Sequence, residues 1–498
     1  MLIRYFALIL ALAFGTGTAQ ADIRGATFTH VRCAEIGIEP TPELKPIQCG
    51  WLDAPESWGA SSNRRVKIAV AIAKATGTAR ADPIIYVHGG PGIAAVERLP
   101  IAMGKQSWPP LRINRDIIFF DQRGTGRSSP RLCTAYDDGW RELTRKALSQ
   151  AAELNTKIAL ARACHKHLQL TGFNFSSHSA VTIAQDMEAL RQLLGYERWN
   201  IFGTSYGSLP AMESMRRYPR SVRAVLLDSA FPPNSPHWAE QLTITAAALG
   251  AVQRQCDADP ACRKRYPDIR GLASRAIIQL DSAPLGPPGD RVSGSKFADA
   301  MWTALVGTST VRFIPELLSR AAARDDKTIR TFVAAFGDDS FGSYSPSQAL
   351  IVNCHDVFAG GTAALVRRAI ELNRDLAGDM VAEEQDRLCA EIGPARASAN
   401  FFGPVESAIP TLIFAGEFDP ATPPIDAFIA ARFLKHATIV EVPGASHAPF
   451  YTDDCTRRIG ADFFDDPEVP VETACLAARP LFRFASPAEF DTFIASLK

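Results

Sequence analysis

The chain has 498 residues, of which 47% are hydrophobic and 21% are charged, and its 53 basic residues balance 53 acidic ones. A chain of this length can bury a large core, and a net charge of zero provides no positive field to attract nucleic acid, so nucleic acid is not expected as a partner. The 34 glycines and 34 prolines are spread along the chain without a low-complexity run, which argues against disorder, collagen and coiled coil.

Residues 1–21 have the pattern of a secretory signal peptide. Arg4 supplies the positive start, residues 7–14 form an apolar stretch, and residues 19–21 form a small-x-small cleavage site. A membrane anchor would need about 20 apolar residues, and residues 15–18 interrupt the run. We therefore expect cleavage after Ala21, a periplasmic or secreted protein, and no membrane association once the signal is removed.

The rest of the chain alternates short apolar, β-rich runs with helical patterns. This alternation predicts an α/β fold with a mostly parallel sheet covered by helices. Helices are expected to begin near Ser179, after Ser205 and after Pro424. The predicted strands are residues 66–73, 84–88, 116–120, 199–202, 223–227, 411–415 and 438–442.

Strand signals thin out between residues 231 and 400, and helical segments dominate there, for example at 297–306, 314–323 and 363–376. This pattern predicts a mainly helical cap inserted between two strands of one sheet. We therefore expect a first part of the core at 22–230, the cap at 231–400, and the C-terminal part of the core at 401–498.

A glycine-rich turn, HGGPG at residues 88–92, directly follows the second predicted strand. A turn at this point can aim a backbone N–H at the negative oxygen that develops during acyl transfer, and the N–H of Tyr206 would be the second donor. The spacing does not match the GxGxxG pattern of dinucleotide-binding proteins, and no cofactor is expected.

The segment DQRGTGRS at residues 121–128 follows the third predicted strand. It could line the floor of an active site. A structural role is favoured, because a charge pair at the end of a strand is usually structural. We expect Asp121 and Arg123 to form a buried, hydrogen-bonded brace beneath the HGGPG turn.

The sequence GTSYG at residues 203–207 lies between a predicted strand and a predicted helix, which is the setting of a nucleophile elbow. Gly203 and Gly207 fit this setting, because a tight turn that presents a serine hydroxyl has no room for a Cβ against the neighbouring strand or helix. The pattern alone is weak, but its position makes Ser205 the candidate nucleophile.

Two further motifs follow predicted strands near the C-terminal end of the chain. Asp419 lies in GEFDPATPP, and His447 lies in GASH, 28 residues later. Serine, then aspartate, then histidine is the chain order of the triad in α/β-hydrolases. The joint occurrence of these motifs at strand ends is far more specific than any one of them.

Other acids compete with Asp419 for the role of orienting the histidine. Asp228 also ends a predicted strand, and Glu417 lies two residues away. Asp419 is favoured because Thr422 can bond its carboxylate from the start of the next helix, where Pro423 fits the first helical position.

Ten cysteines follow the signal, an even number that indicates disulfides in an exported chain. A metal site is the alternative, because CHKH at residues 164–167 places possible ligands together. No CxxC or HExxH partner lies elsewhere, so no metal is expected. Connectivity does not follow from sequence, and the simplest pairing joins neighbours: Cys33 with Cys49, Cys133 with Cys164, Cys256 with Cys262, Cys354 with Cys389, and Cys455 with Cys475.

Together, HGGPG, DQRGTGRS, GTSYGS, GEFDPATPP and SHAP resemble the motifs of the prolyl aminopeptidase and tripeptidyl aminopeptidase family of α/β-hydrolases, most closely its secreted, TAP-like branch. The resemblance covers essentially the whole chain after the signal, and segments 256–262 and 351–356 are similar to that branch's cap patterns. SHAP replaces the commoner Gly-His-Gly around the base. The resemblance implies an α/β-hydrolase fold with the site residues Ser205 (nucleophile), Asp419 (orienter), His447 (base), and Gly90 and Tyr206 (oxyanion donors).

The function expected first is a serine exopeptidase that removes one or a few residues from the N-termini of peptides. An esterase or amide hydrolase of small molecules would use the same triad, and a non-catalytic binding protein is disfavoured because the triad is intact. An exopeptidase must recognise the α-ammonium of a chain end, which a carboxylate in the cap can bind. Asp356 is the first candidate, because a bridge from Cys354 to Cys389 would hold it, and Glu240 is the second.

Overall fold

A computed structural model describes residues 25–497, apart from positions 40, 61–62, 100–107, 147, 237, 288–290, 338–342, 359–361, 379, 394–395 and 480–481. The expected signal peptide at residues 1–21 lies outside the described residues.

Nine strands form one sheet in the order β1-β2-β3-β5-β4-β6-β7-β8-β9. Strands β1, β2 and β3 run antiparallel to their neighbours, and the six strands from β5 to β9 along the sheet pair in parallel. The predicted mostly parallel sheet is confirmed. The strands are β1 Thr27–Val31, β2 Ile47–Pro55, β3 Arg65–Ala73, β4 Ile84–Val87, β5 Ile117–Phe120, β6 Trp199–Thr204, β7 Val222–Asp228, β8 Thr411–Gly416 and β9 Ala437–Val442.

The central strands are continuous apolar runs because helices cover both faces of the sheet. Every residue of β4 and β5 is buried. Ile85 and Ile118 belong to the hydrophobic cluster on one face, and Ile84 and Phe119 belong to the cluster on the other. Side chains alternate between the two faces along a strand, so each short apolar strand contributes residues to the hydrophobic cluster on each face of the sheet.

Helices flank the sheet and fill the connection between β7 and β8. Ser179 caps α4 with its hydroxyl, as its position in the sequence indicated. The helices are α1 Pro109–Arg112, α2 Thr134–Arg145, α3 Gln150–Leu170, α4 Ala180–Leu193, α5 Ser208–Arg217, α6 Gln241–Ala258, α7 Pro260–Arg265, α8 Ile269–Ser282, α9 Gly294–Val306, α10 Ile314–Ala322, α11 Asp326–Phe336, α12 Pro346–Val352, α13 Thr362–Leu372, α14 Arg374–Ala377, α15 Glu384–Ile392, α16 Pro424–Ala431, α17 Asp454–Asp465, α18 Ala474–Ala477 and α19 Pro487–Ser496.

Helices α6 to α15, here called the helical insertion, occupy the connection between β7 and β8. Their side chains form a hydrophobic cluster that includes Leu249, Phe297 and Leu318. Phe418, from the loop after β8, and Phe490, from α19, belong to the same cluster. The insertion is therefore packed onto the C-terminal part of the chain as well as onto itself.

The segment at 121–128 braces the core, but not through the expected pair. Asp121 accepts hydrogen bonds from the backbone N–H groups of Val96 and Arg127, at 2.7 and 2.8 Å. Arg123 is buried and pairs with Asp186 on α4 instead. The expected ion pair between Asp121 and Arg123 was wrong, because a strand-end carboxylate can be satisfied by nearby backbone donors alone.

All ten cysteines form disulfides, in the five pairs that the simplest pairing predicted. The bridges span 6 to 35 residues of sequence, so each one closes a short loop. Five disulfides in one chain are typical of extracellular and periplasmic proteins.

No single helix among the described residues is long and apolar enough to cross a membrane. Pro346–Val357 and Thr362–Leu372 reach that length and composition only when taken together, across a bend of 97°.

Peptide mapping under non-reducing conditions is expected to recover the five neighbouring pairs and no free thiol. Each bridge restricts the unfolded chain and is worth roughly 2 to 4 kcal/mol, so reduction should lower the melting temperature markedly. Free thiols at most of the ten positions in protein exported from its host would contradict both the pairing and the oxidising compartment.

Candidate active site

The turn that follows β6 presents Ser205 at the carboxyl edge of the sheet. Ser205 has a positive φ of 56°, which is uncommon for a residue other than glycine. A Cβ on Gly203 would lie 2.7 Å from the carbonyl oxygen of Gly207, and one on Gly207 would lie 2.1 Å from that of Val87. Both glycines of the motif are therefore required by the close approach of neighbouring backbone.

The HGGPG loop lies directly against this turn. A Cβ on Gly89 would be 2.7 Å from the Cβ of Ser205. Gln122 Nε2 donates a 2.8 Å hydrogen bond to the carbonyl oxygen of His88 and holds the start of the loop. Gly90, two residues after His88, has a φ of 116°, which favours glycine. The structure thus brings the loop that contains Gly90 beside Ser205 and Tyr206.

Asp419 lies in the loop after β8, and its side chain is fully buried. One oxygen accepts hydrogen bonds from the backbone N–H groups of Ala421 and Thr422, at 2.8 and 3.0 Å. The other accepts bonds from the hydroxyls of Thr422 and Ser229, both at 2.8 Å. Burial alone would raise the pKa of Asp419, but the charge of His447 and these hydrogen bonds hold it below its usual value.

His447 follows β9, and its Nδ1 lies 2.8 Å from Asp419 Oδ2. Burial alone would lower the pKa of His447, but the charge of Asp419, the hydrogen bond to it and the charge of Asp228 raise the pKa above the usual 6.5. Because the carboxylate binds Nδ1–H, the neutral ring presents an unprotonated Nε2. That nitrogen can accept a proton. Within the described part of the chain, His447 is hydrogen-bonded to Asp419, Thr422 and Val306 but not to Ser205, and the bond between base and nucleophile is often long in free enzymes.

Ser229 joins the acid to the segment that follows the base, and sequence reasoning missed it. Its hydroxyl donates to Asp419 Oδ2 and accepts a 2.9 Å hydrogen bond from the N–H of Ala448. Ser205, Ser229 and Ala448 all have positive φ, a strain that concentrates at functional sites. Ser229 directly follows β7, and that strand-end position was the one available signal in the sequence.

The hydrogen-bond partners that the structure describes for the His447 ring are Asp419 and Thr422, and neither competing acid is among them. Asp228 is paired in register with Thr204, and its Oδ1 accepts a 3.0 Å hydrogen bond from the N–H of Phe450. Burial raises the pKa of Asp228 to about 7. Glu417 instead accepts a 2.8 Å hydrogen bond from the N–H of Gly444. Asp419 is thus the acid that bonds His447, as the sequence favoured.

The predicted contact from Thr422 to Asp419 is also present. The following helix, α16, starts at Pro424, so Pro423 does not occupy the first helical position that was expected for it. Pro423 takes the N-cap position instead.

Asp356 is buried beneath the site, and its carboxylate is already occupied. It accepts hydrogen bonds from the N–H of Ala180 at 2.7 Å and from the hydroxyl of Tyr206 at 3.0 Å, and it lies 2.7 Å from His355 Nδ1. With 2% of its surface exposed, it braces the start of α4 and the residue after Ser205. This placement does not favour the predicted binding of a substrate amine. Glu240 is exposed, directly before α6.

Among the described residues, no group of three or more His, Cys, Asp or Glu side chains is arranged to hold a metal ion.

Comparison with protein families matches residues 82–258 to a model of the alpha/beta hydrolase fold and residues 374–475 to a model of TAP-like proteins. The first segment contains the HGGPG loop and Ser205, and the second contains Asp419 and His447. The chain is an α/β-hydrolase with a TAP-like C-terminal segment. The two segments together cover more than half of the chain, and the resemblance noted in the sequence is confirmed.

The curated relatives include both peptidases and an esterase. The tripeptidyl aminopeptidase of Streptomyces lividans is 27% identical over 225 residues, which span 43% of this chain and 42% of that protein. The chain thus matches less than half the length of this relative. Serine protease Hip1 of Mycobacterium tuberculosis is 24% identical over 82% of both chains. Carboxylesterase B of the same species is 25% identical over 88% of both.

Asparagine substitutions at the two buried acids are expected to have unequal effects. Asp419→Asn should lower kcat by about 10⁴-fold, because Asn no longer holds the histidine tautomer or stabilises imidazolium. Asp228→Asn should retain most activity, because the Asn carbonyl can still accept the N–H of Phe450. The measurement is kcat/KM as a function of pH for both variants.

In the wild type, kcat/KM should fall as the pH drops through the raised pKa of His447, because the protonated ring cannot accept a proton. Asp228 is only partly charged near its own pKa of about 7, and its charge is the smallest cause of the raised pKa of His447. Loss of that charge should therefore move the acid limb slightly to lower pH in Asp228→Asn. A nearly inactive Asp228→Asn beside an active Asp419→Asn would transfer the acid to β7.

Proposed function

We propose that the chain is an exported serine hydrolase that releases one or a few residues from the N-termini of peptides through an acyl-enzyme on Ser205. The observation that carries the proposal is the buried hydrogen bond between Asp419 and His447 at the sheet edge where Ser205 is presented. It lies within a chain that combines the α/β-hydrolase fold with a TAP-like segment.

The geometry supports the following chemistry. Ser205 Oγ attacks the carbonyl carbon of the scissile bond while His447 Nε2 accepts the hydroxyl proton. Asp419 stabilises the imidazolium that forms. The N–H groups of Gly90 and Tyr206 donate to the carbonyl oxygen as it becomes negative. His447 then gives its proton to the amine as the scissile C–N bond breaks. Water attacks the acyl-enzyme while His447 takes its proton, and His447 returns that proton to Ser205 Oγ as the acyl C–O bond breaks and the acyl product leaves as a carboxylic acid.

Export rests on two independent features. Five disulfides require an oxidising compartment to form and persist. Residues 1–21 have the composition of a cleavable signal peptide. The periplasm and the extracellular space both meet these requirements.

Selection for a chain end calls for a group that binds the α-ammonium, whose pKa is about 7.7 to 8. The carboxylate of Asp356 accepts three hydrogen bonds from the protein, so an ammonium would have to displace one of them. Glu240 is exposed at the start of the helical insertion and has no such competition from these donors. Glu240 is therefore the favoured amine-binding residue of the two.

Hydrolysis of small-molecule esters is the second candidate function. Carboxylesterase B aligns over a larger share of this chain than the tripeptidyl aminopeptidase does. Ester hydrolysis uses the same acyl-enzyme chemistry and needs no recognition of an amine.

The two functions can be distinguished by measuring kcat/KM on a panel of substrates. The panel contains aminoacyl, dipeptidyl and tripeptidyl arylamides, their N-acetylated counterparts, and short-chain nitrophenyl esters. A free N-terminus is expected to raise kcat/KM by at least about 100-fold over the acetylated form, because a site built for a charged group rejects analogues that lack it. Ser205→Ala, which removes the attacking oxygen, should be inactive on every substrate and provides the blank.

Equal cleavage of free and acetylated peptides would contradict the exopeptidase proposal, and turnover of esters alone would favour the second function. Glu240→Gln should raise KM only for substrates with a free amine. Asp356→Asn serves as the matched control, because it weakens a brace and should affect all substrates alike. The opposite pattern would return the amine-binding role to Asp356.

A further inference from the structure

The loop that contains His447 is hydrogen-bonded to the end of α9 in the helical insertion. The N–H of Ser446 donates to Thr308 Oγ1 at 2.8 Å, and the Ser446 hydroxyl donates to the carbonyl oxygen of Leu305. The N–H of His447 donates to the carbonyl oxygen of Val306 at 3.1 Å. The insertion thus supplies the acceptors for three donors of this loop, two from Ser446 and one from His447.

The loop that contains Asp419 is attached to the insertion as well. Phe418, directly before the acid, is buried in the hydrophobic cluster of the insertion. Gln241, the first residue of α6, donates a 2.6 Å hydrogen bond to the carbonyl oxygen of Pro420, directly after the acid. Both neighbours of Asp419 therefore contact the insertion.

The two loops are also joined to each other. The N–H of Phe418 donates to the carbonyl oxygen of Ala445 at 2.9 Å. The backbone of Ser446 lies so close to Gly416 that a Cβ there would be 1.9 Å from the Ser446 carbonyl oxygen. The acid and the base therefore form one packed unit that the insertion contacts from outside.

The nucleophile is positioned differently. The turn of Ser205 is held mainly by the parallel strands of the core, through the close approach of Gly207 to Val87 in β4, and the hydrogen bond that joins it to the insertion runs from the Tyr206 hydroxyl to Asp356. The distance from His447 Nε2 to Ser205 Oγ therefore depends on where the insertion holds the two loops that contain Asp419 and His447.

From this arrangement we infer that Thr308 is a positioning residue, which through Ser446 sets His447 relative to Ser205. This inference rests on the proposed triad. Ser446 is fully buried, so without the Thr308 hydroxyl its N–H would lack an acceptor and the loop would shift to find one. The turn that holds Thr308 is itself fixed by Thr310 Oγ1, which donates to the carbonyl oxygens of Ala304 and Gly307 at 2.6 and 2.9 Å.

Three variants of the full chain test this role. Thr308→Val keeps the shape but removes the acceptor, and Thr308→Ser restores it. Thr303→Val is the matched control, because that hydroxyl bonds only within α9, to the carbonyl oxygen of Asp299. The readouts are kcat and KM on the best substrate of the wild type, and the melting temperature.

Thr308→Val is expected to lower kcat by about tenfold or more with KM nearly unchanged, because small displacements of a catalytic group are costly. Thr308→Ser should recover kcat to within about twofold, and Thr303→Val should match the wild type. An unchanged kcat in Thr308→Val, whatever its melting temperature, would overturn the inference. So would an equal loss in Thr303→Val, or no recovery in Thr308→Ser. If the proposed triad were itself wrong, Ser205→Ala would remain active, and this result separates failure of the triad from failure of the role of Thr308.

Discussion

The hydrogen bond between Asp419 and His447 is the interaction on which the arrangement of the site depends. A fully buried carboxylate is costly unless it is paired and hydrogen-bonded. Asp419 meets this requirement with four bonds from Ala421, Thr422 and Ser229 besides the one to the histidine. These donors come from the loops after β7 and β8, which lie at the same edge of the sheet because the two strands are parallel neighbours. The pairing holds the pKa of the acid down and that of the base up.

Much of the fold and the site was predictable from sequence, because the signals were local. A short apolar run followed by a glycine turn identifies a buried strand and the motif at its end, which was enough to predict that Ser205, Asp419 and His447 follow strands β6, β8 and β9. The cysteine pairing was also local. The antiparallel hairpin of β1 with β2 was not predicted. Its exposed edge strand has no continuous apolar run, so the pattern that identified the central strands is absent there.

The sequence did not predict which residues distant in the chain pair with the buried charged side chains. Arg123 was assigned to its neighbour Asp121, but it pairs with Asp186, 63 residues away. Asp356 was expected to face a substrate, yet its partners Ala180 and Tyr206 lie more than 100 residues earlier in the chain. Which donors reach a carboxylate depends on how the helices pack. The same packing places the helical insertion against the loops of Asp419 and His447, so the insertion contributes to the geometry of the site.

The most direct test of Ser205 as nucleophile and His447 as its base is labelling with a fluorophosphonate. The labelled residue is identified, and the labelling rate is measured as a function of pH. The phosphorus of the reagent forms a bond to an activated serine oxygen as fluoride leaves. We predict a single adduct, found by mass spectrometry on the peptide that contains Ser205. Its rate of formation should fall as the pH drops through the pKa of His447, because the protonated ring can no longer accept the serine proton. An adduct on another side chain, or folded protein that is not labelled at all, would contradict the assignment of Ser205 as the nucleophile.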